Sequence, residues 1–368
     1  MQASNSNDEA PAIGPGAPPA APGGALPPQS RFPILPGPEL GAGPPRHLPR
    51  YRLAAVLFLL TFLTTTTLGG VLYLVTRTDE STALYPFLHP TTVREVWGTP
   101  ELLRLGLSFS LPLLVILGSH ELGHFLACRR YGVPATIPYF LPAPLVLGTF
   151  GAFIRIRGRI RTKAELFDIG VAGPFAGFVA LLPFLVLGVA WSEPGLVEIA
   201  EDPRQVQAIL YRPGTSLALE GLTWLFHGRL PGNVVLDLHP FALAAWVGLF
   251  ATALNLLPMG QLDGGHLLYA VAGRLHRRLA WPIWLGVCAL GLLWMGWFVL
   301  CFMVLVVMGL RHPPVLDADQ PLDRFRLRLA VVALVLLVLC FTPIPLSYLP
   351  LQGSTGVLVA LPDSPPAR

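Results

Sequence analysis

Residues 119–124 read S-H-E-L-G-H, inside an apolar run that extends over residues 102–128. Two histidines four positions apart lie one above the other on one helix face, so His120 and His124 can share a metal ion. Glu121 stands beside the first of them, placed to take a proton from water activated at that metal. The surroundings are unusual: after Arg104, near its start, the run carries no charge until Glu121. Ionisable groups at membrane depth are costly and mark function by default. The plainer reading, two helix histidines satisfied by hydrogen bonds, leaves Glu121 unpaired in hydrocarbon at a cost of several kcal/mol.

Composition supports that setting. Of 368 residues, 53% are hydrophobic and 12% charged, where soluble domains average about 25% charged. Several apolar runs reach roughly 18 residues or more, which predicts a polytopic protein whose solvent is the lipid bilayer. The net charge of +4 is small and its basic residues cluster beside apolar runs. That is a topology signal and argues against nucleic acid as a partner. Cys128, Cys288, Cys301 and Cys340 show no C-x-x-C spacing and read as packing residues, neither disulfides nor ligands.

Along the chain, residues 1–50 are rich in Pro, Gly and Ala and are expected to be a disordered cytoplasmic tail, with the pattern of neither a signal nor a transit peptide. Residues 51–278 form the membrane-embedded core, and 279–368 the C-terminal transmembrane helices and tail. Arg46, Arg50 and Arg52 precede a first span at 53–76, which puts its start in the cytoplasm. The helix with His120 then runs back inward and ends at Arg129 and Arg130. Nine residues separate His120 from Arg129, so the motif sits roughly 14 Å below that boundary. The apolar stretch 132–154 cannot be one helix, because Pro134, Pro138, Pro142 and Pro144 break it. Residues 148–161, with Ile and Arg alternating at their end, read as a strand leaving a re-entrant hairpin.

A span at 167–191 follows, with Gly170, Gly173 and Gly177 as a small-residue face for another helix. Residues 192–240 read as a polar outer segment with an amphipathic piece at 217–226. The span at 241–272 is interrupted by N-L-L-P-M-G-Q-L-D-G-G-H (residues 255–266) and finishes at Arg274, Arg277 and Arg278. Asp263, eleven residues before Arg274, lies roughly 16 Å from that boundary, a depth matching His120. Residues 281–310 are one tilted helix or a tight pair, and 329–346 make a last span. One helix at 281–310 leaves the arginines between 311 and 328 outside, which the positive-inside rule disfavours. The expected fold is therefore an all-α polytopic membrane protein of about six to seven transmembrane helices, with a small re-entrant β-hairpin beside the site.

Catalytic zinc takes three protein ligands and leaves one position open. The third is Asp263 or His266, and a carboxylate suits the hydrolytic pattern better; a helix cap is the plainer use of Asp263. Asn255 can donate to the oxyanion of a tetrahedral intermediate, or make a helix–helix polar contact. The strand at 148–154 can hold an unwound substrate by edge pairing, or merely seal the site.

H-E-L-G-H in one membrane helix, G-T-F-G-A-F (148–153) in a hairpin and N-L-L-P-M-G-Q-L-D-G-G-H in a later helix together resemble the site-2 protease family. These are zinc metalloproteases that cut within membrane segments. The resemblance covers residues 102–278 in order and is nearest to bacterial and plastid members without a PDZ domain. It implies one zinc ion per chain on His120, His124 and Asp263, with Glu121 as general base. It also implies substrate handling by Gly148, Thr149, Phe150 and Gly151 and by Asn255. One departure is Gly260, where many members have a second proline.

The expected activity is hydrolysis of a peptide bond in or near the transmembrane segment of a membrane-protein substrate. The resemblance implies that an earlier trimming event precedes it. The expected setting is a bacterial cytoplasmic membrane with the site nearer the cytoplasmic side; oligomeric state is left open. The rival from another class is a metal-binding transporter with a midplane ion site. It predicts tolerance of Glu121→Gln, and it lacks support from an internal repeat. An inactive scaffold is disfavoured because every chemical group is present.

Overall fold

The computed structural model describes residues 51–77, 89–143, 147–197, 208–310, 315, 320–351 and 359–360. They belong to one compact unit, Pro49–Arg368; the tail expected at 1–50 lies outside the described residues. Three described helices are long and apolar enough to cross a membrane, and the described residues are mostly helical. They are α1 (Tyr51–Arg77), α3 (Pro100–Arg130) and α4 (Lys163–Ala190), with a short α2 (Pro90–Gly98) leading into α3.

Local chemistry sets their ends. Pro100 opens α3 where its missing N–H costs nothing, and Glu101 and Arg129–Arg130 suit the two poles of its dipole. Thr162 caps α4 by accepting from the Glu165 N–H at 3.1 Å, while Glu165 reaches back to the Arg161 N–H at 2.8 Å. Absent side chains set how closely the helices approach. A Cβ on Gly106 of α3 would stand 2.3 Å from the Thr66 carbonyl of α1, and one on Gly123 would stand 2.4 Å from the Ala172 carbonyl of α4. Thr66 and Ser110 then share a 2.8 Å hydroxyl bond across α1 and α3. Phe109, Leu113, Ile116, Leu181, Leu185 and Leu249 form the buried centre of the bundle.

The proline-rich stretch after α3 is a hairpin, as its sequence requires. Strand β1 (Tyr139–Pro142) pairs antiparallel with β2 (Thr149–Phe153), with a bulge at Leu141/Pro142. The ladder ends at Phe153, short of the expected 161; beyond it a lone bridge joins Ile156 to Ala135. The period-two pattern persists in burial, with Arg155, Arg157, Arg159 and Arg161 exposed and the isoleucines between them half-buried.

An all-α fold needs correcting. Residues expected as a polar outer segment contribute β3 (Glu193–Leu196), β4 (Ala208–Pro213) and β5 (Val234–Asp237), with α5 (Leu217–His227) between the last two. Strand β3 pairs with β5, and β4 pairs with β6 (Leu346–Leu351) over six residues; β7 (Val359–Ala360) adds to β3. These partners lie more than a hundred residues apart in the β4–β6 case, so no local pattern reports them.

The interrupted span is two helices, α6 (Pro240–Leu256) and α7 (Asp263–Ala272). Residues 281–310 form a pair rather than one tilted helix. Helix α8 (Arg274–Ala289) ends in a 3-10 turn at Leu290–Leu292, and α9 (Gly296–Met303) runs into a π turn at Val304–Met308. The last helix, α10 (Arg324–Cys340), starts five residues before the expected 329 because Asp323 caps it, accepting from the Arg326 N–H at 2.8 Å. It stops at Cys340, ahead of Pro343 and Pro345. Arg326 pairs with Asp168 of α4, so α10 begins at the same end of the bundle as Arg129 and Arg130. Its arginines thus join the other basic residues instead of standing apart from them.

Candidate active site

Helix α3 presents His120, Glu121 and His124, all buried, two turns before its basic end. Across from them α6 breaks at Pro258, and the chain re-enters as α7 at Asp263. The break is compact. A Cβ on Gly264 would lie 2.0 Å from the Leu256 carbonyl, so the D-G-G sequence lets α7 fold back against the end of α6. Gly260 adopts φ +57° there. A proline, fixed near −65°, cannot take that conformation, which gives the departure at this position a backbone reason.

The result is a triangle of donor atoms from two separate helices. Asp263 Oδ2 lies 3.3 Å from His120 Nε2 and 3.2 Å from His124 Nε2, and the two nitrogens are 3.1 Å apart. Tetrahedral zinc with bonds of about 2.0–2.1 Å separates neighbouring ligand atoms by roughly 3.3 Å. The three edges therefore fit that ion, and two nitrogens and a carboxylate are the donor set of hydrolytic zinc sites. His124 Nδ1 donates to the Ile169 carbonyl at 2.7 Å, which leaves its Nε2 lone pair facing the triangle. Among the described residues, these three are the side chains grouped to hold a metal; His266, the other candidate, is outside the group. Leu262 stands at the N-cap of α7 and Asp263 is the first residue inside the helix, so Asp263 does not occupy the capping position.

Asn255, near the end of α6, points Nδ2 at His120 Nε2 from 3.4 Å. The Glu121 carboxylate lies near the backbone N–H of Ile154, just after β2, which places the hairpin beside the site. Among the described residues β2 pairs with β1 alone, and Phe150 is 67% exposed beside it. The hairpin is also held from α1. Thr64 Oγ1 donates to the Gly148 carbonyl at 2.6 Å, and Phe58 packs edge-on against Phe140 with centroids 5.2 Å apart. Thr149 Oγ1 donates to the Leu141 carbonyl at 2.8 Å and accepts from the Gly151 N–H at 3.0 Å, closing the bulge.

Sequence reading paired the small residues of α4 with an unspecified helix. Gly170 faces Leu267 and His266 of α7, and the other two face the ligands of α3: a Cβ on Gly173 would lie 2.1 Å from His124 Nε2, and one on Gly177 would lie 3.1 Å from His120 Cβ.

Residues 108–282 match the profile of Peptidase family M50, a segment that contains all of these groups except the α1 contacts. Over that segment the chain is similar to this peptidase family. The chain is 33% identical over 316 residues to the probable zinc metalloprotease EGY1, chloroplastic, of Arabidopsis thaliana. That match takes in 83% of this chain and 55% of the relative. The probable zinc metalloprotease EGY2, chloroplastic, of Oryza sativa subsp. indica is 35% identical over 175 residues, 47% of this chain and 31% of the relative. The chain thus spans about half the length of the first of these relatives and less of the other. Both names carry zinc, in keeping with the donor set of the M50 domain, and both are chloroplastic, which gives no support to a bacterial cytoplasmic membrane.

The Thr64 contact lies outside the M50 match and carries an expected result. Thr64→Val keeps the shape but removes the donor to Gly148, at about 1–3 kcal/mol if the carbonyl stays buried. Amide exchange should quicken in both strands of the hairpin, 139–142 and 149–153. Thr64→Ser should behave as wild type. Unchanged exchange in Thr64→Val would remove the Thr64 hydroxyl from the support of the hairpin.

Proposed function

We propose that this chain is an intramembrane zinc metalloprotease that hydrolyses a peptide bond in or near the membrane-spanning segment of a protein substrate. The observation that carries the reading is the triangle of His120, His124 and Asp263 atoms, 3.1–3.3 Å on each edge, with the Glu121 carboxylate next to it. The residues divide the work. His120, His124 and Asp263 hold the ion, one per chain. When bound, zinc polarises a carbonyl and lowers the pKa of water. Glu121 takes the proton from the attacking water and passes it to the leaving amine. Asn255 donates its amide N–H to the oxyanion that forms on the scissile carbonyl. A helical substrate must unwind before its carbonyl can be attacked, and the open edge of β2 at Gly148, Thr149, Phe150 and Gly151 receives the extended segment by strand addition.

The same proposal includes six to seven membrane crossings, with α6, the α8–α9 pair and α10 added to α1, α3 and α4, and the hairpin re-entrant. It takes residues 51–278 as the catalytic core, 1–50 as a tail and 279–368 as accessory helices. The site lies on the side of Arg129, Arg130, Arg277 and Arg278. By the positive-inside rule that is the cytoplasmic face of a bacterial membrane; the chloroplastic names of the relatives make the compartment a question for fractionation. A transporter makes no use of a carboxylate beside the ligands and is not favoured for a peptidase family.

Purified full-length protein in lipid should cleave a tagged single-span substrate. A strong chelator should abolish cleavage and stoichiometric zinc should restore it. Zinc flux into vesicles without cleavage would reverse the choice between protease and transporter.

A further inference from the structure

Asp168, in the second turn of α4, is gripped by two other helices. Arg326 of α10 donates through Nε to Oδ1 at 2.8 Å and through Nη2 to Oδ2 at 2.7 Å, a bidentate pair. Tyr131, just past the end of α3, donates its hydroxyl to Oδ2, and Arg326 Nη2 also reaches that hydroxyl at 3.4 Å. Asp323 holds the guanidinium from the far side, Nη1 to Oδ2 at 2.5 Å. Burial first, then Asp168 as acceptor, push the Tyr131 phenol up, so it stays a donor. The Arg326 and Asp168 side chains are only 22% and 27% exposed, so water screens the pair less than it would a surface pair.

This cluster adjoins the metal site on both helices it ties. Tyr131 is seven residues after His124, two turns along the same face of α3. Asp168 immediately precedes Ile169, whose carbonyl receives the His124 Nδ1–H. One turn further, Gly173 lies against His124 Nε2. Sliding α4 along α3 would move that carbonyl and that glycine together. A planar fork on a carboxylate resists such a slide because both of its bonds are directional.

We infer that Arg326 is a positioning residue for the metal site. Held by Tyr131 and Arg326, Asp168 sets the register of α4 on α3, and with it the orientation of His124. The inference rests on the proposed zinc site. It also gives α10, which lies outside the matched residues 108–282, a part in it.

The test is zinc affinity of the full-length protein in lipid, by competition with a chromophoric chelator, alongside thermal unfolding. Removing partners that orient a metal-bound histidine typically weakens binding about 10–100-fold, and this contact acts one step further out. Arg326→Gln and Asp168→Asn should each weaken zinc roughly tenfold, the lower end of that range. The double variant should do no worse than either, because both break one clamp. Arg326→Lys, which keeps the charge and loses the fork, should fall between, and Arg324→Gln on the same turn should match wild type. Zinc affinity within twofold of wild type in Arg326→Gln overturns the inference, even if unfolding comes at lower temperature. So does full additivity in the double variant. Wild-type protein that binds zinc without cleaving any substrate would sink the protease reading and leave this one standing; failure to bind zinc would end both.

Discussion

Glu121→Gln is expected to abolish peptide-bond cleavage while the protein still binds one zinc ion. The triangle of ligand atoms is supplied by His120, His124 and Asp263 alone, so exchanging a neighbouring carboxylate for an amide removes no ligand. Glu121 is 8% exposed, and glutamine is nearly isosteric with it and keeps a carbonyl oxygen toward the Ile154 N–H. Packing should therefore survive. An amide cannot take a proton from water. A positioned general base contributes about 10²–10⁴-fold, so cleavage should fall by at least about a hundredfold with KM little changed. Metal analysis and a gel assay on the same preparations separate the two claims. Cleavage within tenfold of wild type, with zinc bound, would exclude Glu121 as the base.

The site was legible where its signals are local. Four-residue spacing put His120 and His124 on one face, and distance from flanking arginines put Asp263 at their depth, although 139 residues separate Asp263 from His124 in the chain. Prolines excluded a single helix over 132–154 and, at Pro258, marked the break before α7, while the Ile and Arg alternation pointed to a strand from 148. What could not be read has a common physical cause: it depends on partners brought together from afar. Strand β4 finds β6 across α5–α10, so its sequence, taken alone, passes for an outer loop. Arg326 looked like one of several topology arginines, and only the fold shows it on Asp168. The open choice over residues 281–310 is of the same kind, since an apolar run of that length suits one helix or two until Trp284 is seen donating to the Cys301 carbonyl at 3.0 Å across α8 and α9.

The small residues of α4 are the instructive case, because sequence identified them as a face for another helix and left that helix and its side chains unnamed. Gly173→Ala is expected to abolish zinc binding, and cleavage with it. The added methyl would sit 2.1 Å from His124 Nε2 and 2.5 Å from Cδ2 and Cε1, so the ring must leave its place. It cannot do so without giving up the 2.7 Å bond to the Ile169 carbonyl. Nor can α4 retreat, since Gly123 and the Ala172 carbonyl already bring the two backbones into contact. Overpacking of this kind costs about 1–3 kcal/mol where a core can adjust, and here the group that must adjust is a ligand. Gly177→Ala is milder: its methyl lies 3.1 Å from His120 Cβ and 3.3 Å from Nδ1, a gap that a few tenths of an ångström would relieve. It should weaken zinc without eliminating it. Gly221→Ala in α5 meets nothing within 4 Å and should bind zinc as wild type, with up to about 1 kcal/mol gained from helix propensity. The order Gly221, Gly177, Gly173 in rising loss of zinc affinity follows from contact distance alone. Full zinc affinity in Gly173→Ala would mean that α4 does not lie against His124 when the ion is held, and the positioning assigned to Ile169, Asp168 and Arg326 would fall with it.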